Sequence, residues 1–180
     1  GGTFRKLDTV LGSRAEGTLV PVSEYTGQPE MQGGLVKTLD FKIYLGLLSE
    51  TYNEAHQQDL ERTEAVPIDM VVCNLYPFRQ TVARADATVE HARGNIDIGG
   101  PCMVRAAAKN YLRVACVTDT GDYSCLIDEM ERTGGRTTLA TRFALMKKAF
   151  RHTADYDAAI ADWFKTKGQD DVTGCYDIQG

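Results

Sequence analysis

Asp97, Gly99, Gly100, Pro101 and Lys109 fall in one short stretch, "NIDIGGPCMVRAAAKN", residues 95–110. A carboxylate can accept a proton or a hydrogen bond, and a lysine can donate either. Gly99 and Gly100 let backbone approach a ligand with no Cβ in the way. Pro101 suits the start of a helix. The unpaired N–H groups of such a start favour an anion or a carbonyl oxygen. The same residues also have a purely structural account. Asp97 caps the helix, and Lys109 complements its C-terminal dipole. A straight helix separates Asp97 from Lys109 by up to ~18 Å, so a shared site needs the 97–101 segment to fold back. Spacing alone favours the structural account.

Other residues have chemistry of their own. Lys37 stands in the otherwise uncharged "GGLVKTL", where it can hold a phosphate or act as an acid. A solvated loop lysine is the plainer reading. "CNLYPF" sets Asn74 and Tyr76 behind an apolar run, as a polar reader and a phenolic donor, or as a turn residue and a ring packed on the sheet edge. "GGT" at Gly1–Thr3 has the composition of a phosphate-cradling loop, a weak signal by itself. "HTADYDAAI", 152–160, reads as a helix junction in which Thr153 or Asp155 caps while Tyr156 and Ile160 pack.

These residues need a scaffold. The chain has 180 residues, 43% hydrophobic and 25% charged, enough for a core in one domain over 1–165 with a polar tail or linker at 166–180. A net charge of −5 argues against a general nucleic-acid binder. No run is long and apolar enough to span a bilayer. Five cysteines, without a CxxC pair, read as reduced and mostly core thiols of a cytoplasmic protein. "IDMVVCNLYPF" and "RVACVTDT" predict buried strands. "FKIYLGLLSETYNEAHQQDLER" and "YSCLIDEMERTGG" predict helices, the second closed by Gly134. A long helical run over 137–167 carries a junction near His152-Thr153. "GGTFRKLDTVLGS" predicts a turn and short helix, and "TLVPVSEYTG" a short extended piece. Strands separated by helices indicate an α/β fold with a mostly parallel sheet, whose ligands bind beyond the carboxyl ends of the strands. An α/β chain opening on a glycine turn and a helix also suggests that a first strand is missing.

Taken in order, "GGT", "VSEYTGQPEMQGGLVKTL", "VVCNLYPF", "IDIGGPCMVRAAAKN" and "AFRHTADYDAAI" resemble the inosine monophosphate (IMP) cyclohydrolase domain, from about Gly1 to Phe164. That domain is the N-terminal half of a bifunctional purine-biosynthesis protein whose other half is the AICAR transformylase. The resemblance implies a methylglyoxal-synthase-like, three-layer α/β domain. It implies dehydrative ring closure of the formylated ribonucleotide FAICAR to IMP, with no cofactor and no metal. It assigns proton transfer to Lys109 and the ring-closure site to Lys37, Tyr76 and Asp97. Nucleotide binding falls to Gly1, Gly2, Thr3, Lys37, Thr38, Cys73, Asn74, Asp97, Ile98 and Gly99. A homodimer and a fused or separate transformylase are the implied partners, with neither nucleic acid nor membrane. The family's opening strand and its Ser-Val-Ser-Asp-Lys-Thr-Gly loop have no counterpart here. Leu35 replaces the arginine of its Gly-Arg-Val-Lys-Thr-Leu-His-Pro block, and Asp40-Phe41 its His-Pro. The intact set Lys37, Tyr76, Asp97 and Lys109 favours an enzyme. A nucleotide-binding regulatory module of the same fold, or a scaffold, is the alternative.

Overall fold

The computed structural model describes residues 2–29, 31 and 37–176. Gly1 and Leu35, both singled out above, lie outside them. The chain forms two compact units, Gly1–Pro67 and Ile68–Gly180.

The first unit is helical among its described residues. α1 (Gly2–Leu11) begins within the Gly-Gly-Thr segment and buries no residue. α2 (Val22–Thr26) replaces the second half of an expected extended piece and stops at Gly27, whose φ of 73° suits glycine. The single helix expected over 41–62 is two. α3 (Phe41–Leu48) and α4 (Glu54–Thr63) are separated because the Asn53 side chain accepts from the N–H groups of Ala55 and His56, a local cap that restarts the helix. Asp40 caps α3. Its carboxylate accepts from Lys42 N–H at 2.8 Å and from Gln28 Nε2 at 2.6 Å.

The second unit holds the sheet. β1 (Met70–Val72) pairs in parallel with β2 (Ala115–Val117), with Val71 opposite Cys116. β2 is buried throughout, as its apolar run predicts. β1 is not: Val72 is 53% exposed, because β2 is its one partner among the described residues. Between the strands lie α5 (Phe78–Val82), α6 (Val89–Gly94) and α7 (Gly99–Lys109). α7 buries Val104 and the run Ala106-Ala107-Ala108, small side chains that let it pack closely on β2 and on α9.

α8 (Tyr123–Thr133) ends at Gly134 with φ 67°, as expected. α9 (Leu139–Phe164) runs unbroken for 26 residues. The expected junction at His152-Thr153 is absent because Thr153 is buried and its hydroxyl donates back to the Phe150 carbonyl, so it caps nothing. α10 (Gln169–Thr173) lies in the segment expected as a tail. It packs on α6, and Arg93 of α6 donates to the Tyr176 hydroxyl at 3.1 Å.

Two apolar clusters among the described residues lie in this unit. Ala115, Val117, Leu126 and Leu145 form one. Phe78, Ala92, Tyr156 and Ala159 form the other, with Leu75 and Ile96 packed against it. Complete burial of a side chain such as Phe78, 1% exposed, stabilises by about 1.5–3 kcal/mol. Of the five free cysteines only Cys116 is buried; Cys102 and Cys125 are exposed, contrary to the expectation of mostly core thiols. No described helix is long and apolar enough to cross a membrane.

Candidate functional site

The site in the second unit starts from the carboxyl end of β1. Cys73 N–H donates to the Val117 carbonyl at 3.0 Å, which carries the ladder one residue past the strand. Asn74 then leaves the sheet, and its amide meets the Tyr123 hydroxyl at 3.5 Å. Leu75 turns into the core, while Tyr76 stays 53% exposed. Tyr76 lines a shallow cavity of about 210 Å³ with Arg79, His152 and Tyr156.

Asp97 sits half-buried on the turn before α7. Ile98 already has helical dihedrals (φ −101°, ψ −53°), so Asp97 stands as the cap. Its Oδ1 accepts from Gly100 N–H at 2.8 Å. A Cβ on Gly100 would lie 2.5 Å from Asp97 Oδ2 and 2.8 Å from Leu75 Cδ2. The space that Gly100 leaves is therefore occupied by the Asp97 carboxylate and Leu75. The sequence reading gave that space to a ligand. Ile96 faces the core and Ile98 is 58% exposed.

Cys73 lies within reach of the Asp97 charge. Burial, and secondly the negative charge of Asp97, push the Cys73 thiol up to about 11. Strand end and capped turn thus converge at the end of a parallel sheet where open α/β folds bind ligands.

Lys109 is elsewhere. It is exposed at the last residue of α7, with no hydrogen-bond or ion-pair partner among the described residues. Ten helical residues place it about 15 Å along the axis from Gly99. The chain does not fold back over 97–101, so Lys109 and Asp97 stand at opposite ends of one helix.

The remaining predicted residues lie in the first unit. Gly2, Thr3 and Lys37 line a cavity of about 320 Å³ with Phe4, Pro21 and Ser23. Gly2 and Thr3 form the first turn of α1, where N–H groups lack helical partners. Lys37 and Thr38 form a turn. Ser23 was not anticipated, nor was Tyr156, which reaches the Asp97 turn from α9 with its hydroxyl.

A family model described as "MGS-like domain" matches residues 13–102, half of the chain. The chain belongs to the MGS-like family. A second model, "AICARFT/IMPCHase bienzyme", matches residues 107–179. The NLYPF and IDIGG blocks fall in the first match and HTADYDAAI in the second. Two proteins named "Bifunctional purine biosynthesis protein PurH", from Synechococcus sp. strains CC9605 and CC9902, are each 48% identical over 163 residues, 91% of this chain. The chain spans 30% of the length of these relatives. A structure titled "Crystal structure of ForH" aligns with TM-score 0.71 and 32% identity, over 91% of this chain and 83% of that one. The MGS-like fold and the motif-based family reading therefore hold for this chain.

Proposed function

We propose that this MGS-like chain is an IMP cyclohydrolase acting in purine biosynthesis, closing FAICAR to IMP with loss of water. The observation that carries the reading is the convergence of Cys73, Leu75, Asp97 and Gly100 at the carboxyl end of β1. The kinship with proteins named for purine biosynthesis supports it.

In this reaction the carboxamide nitrogen attacks the formyl carbon and loses a proton. The formyl oxygen gains protons and leaves as water. Both groups sit on one imidazole, so proximity supplies much of the acceleration. Asp97 takes the nitrogen's proton through Oδ2, since Oδ1 is held by Gly100. Tyr76 donates to the developing oxyanion. The resemblance gives Lys109 a proton transfer, but at about 15 Å along α7 from Gly99 it does not reach the imidazole that Asp97 serves. The chemistry calls for neither metal nor cofactor. A homodimer in the cytoplasm, with a transformylase fused or separate, completes the proposal.

A nucleotide-binding module without turnover is the second reading. The capping bond of Asp97 and the remote position of Lys109 favour it. Absorbance-monitored conversion of FAICAR to IMP by the purified chain decides between them. Turnover sustains the enzyme. IMP binding without turnover sustains the module.

A further inference from the structure

The hydroxyl of Tyr156 accepts from Asp97 N–H at 2.9 Å and lies 3.2 Å from the Asn95 carbonyl, to which it donates. A phenol has one proton and lone pairs to accept with, so this oxygen is used in both directions. Two backbone groups flanking Ile96 are thereby tied to a single atom from α9. Ile96 itself packs in the cluster that buries the Tyr156 ring. The ring is 8% exposed and meets Phe78 edge-on, with centroids 6.3 Å apart at 68°. Packing holds the ring, and the ring holds the hydroxyl.

The consequence reaches the carboxylate. Asp97 N–H has Tyr156 as its partner, while Asp97 Oδ1 is bound to Gly100 N–H. Backbone and side chain of the residue are therefore each pinned once. Among the described residues Oδ2 takes no hydrogen bond. We infer that Tyr156 is a positioning residue for Asp97, through which α9 fixes the turn that presents the Asp97 carboxylate. This rests on the ring-closure reading of the site.

Tyr156→Phe keeps the ring and its packing and removes both hydrogen bonds. In the purified chain it should unfold within a few degrees of wild type, while the Asp97 amide exchanges with solvent about tenfold faster or more. kcat for FAICAR ring closure should fall about tenfold with KM within about twofold, because a displaced carboxylate weakens the transition state and leaves nucleotide binding intact. In an Asp97→Asn background, Tyr156→Phe should cost little further activity, since it acts through Asp97. Unchanged amide exchange and kcat would overturn the inference. So would losses that multiply in the double variant, or a Tyr156→Phe chain that fails to fold, which would make the hydroxyl a support of the whole fold. If the wild-type chain shows no turnover, the ring-closure reading fails, and amide exchange at Asp97 alone decides whether Tyr156 positions the turn.

Discussion

Asp97 and Gly100 fit together as one unit: Gly100 N–H donates to Asp97 Oδ1 at 2.8 Å, and Oδ2 occupies the space a Cβ on Gly100 would need. Within a helix, Gly→Ala ordinarily stabilises by about 0.5–1 kcal/mol. Here the new methyl group would sit 2.5 Å from a carboxylate oxygen and 2.8 Å from a Leu75 methyl. Either the carboxylate moves or the helix start does. Gly100→Ala should therefore destabilise by about 1–3 kcal/mol, the scale of overpacking, and lower ring closure with it. Urea unfolding checks the sign, and a stabilised, active variant would remove the fit from the account.

Asp97 caps a helix and is assigned a proton, and one substitution separates the two roles. Asparagine caps about as well as aspartate. Asp97→Asn should keep the unfolding temperature of the parent and lose about 10²–10⁴-fold in kcat, the usual worth of a general acid or base. Full activity would leave Asp97 as a cap only.

Lys109 calls for its own variant, because it stands at the other end of α7 with no side-chain hydrogen bond or ion pair among the described residues. Lys109→Ala should cost about 0.3–1 kcal/mol of stability, the dipole contribution of an exposed C-terminal cation. Turnover should be kept, since Lys109 stands out of reach of the imidazole that Asp97 serves; lost turnover would give it the proton transfer that the resemblance assigns. Full turnover would restrict it to the dipole.

The sequence made β2 legible because four consecutive apolar residues there are all buried, Val114 to Val117. The end of α8 was legible because only a glycine adopts φ 67° there without strain. The break between α3 and α4 was not, since Asn53 looks like any polar residue in a helical pattern until its side chain turns onto the backbone. Thr153 misled in the opposite direction: a residue favoured at caps is buried mid-helix with its hydroxyl turned back. At the site, the Asp97-to-Pro101 turn was readable from its own residues. Its support by Tyr156 was not, because the two are 59 residues apart and such a contact leaves no spacing in the sequence.

Asp40 stands where the resembled family has a histidine, and the structure gives it work that histidine would not do. It is 5% exposed, caps α3 through Lys42 N–H, and accepts from Gln28 Nε2. Asp40→Ala leaves two donors without an acceptor and should cost about 1–3 kcal/mol. Faster amide exchange in the first turn of α3 is the local readout, and unchanged exchange there would exclude capping as the role.

Cys73 reports the charge on Asp97. Its thiol is held near 11 and that of Cys116 near 12, against an ordinary 9.0, in both cases chiefly by burial. Alkylation at about pH 8 should therefore modify the exposed Cys102 and Cys125 first, because the thiolate is the nucleophile and both inner thiols remain protonated. The raised values favour the neutral thiols in the folded chain. The stability they contribute is complete below pH 9.0 and is lost as pH climbs through about 11 and 12. Asp97→Asn removes the second cause of the Cys73 shift and leaves burial in place. Cys73 should then label faster at about pH 9, while Cys116, raised by burial and secondly by Cys73, should not speed up. Equal acceleration of both would mean that the substitution loosened the fold, and no acceleration of Cys73 would mean that the Asp97 charge does not reach the end of β1.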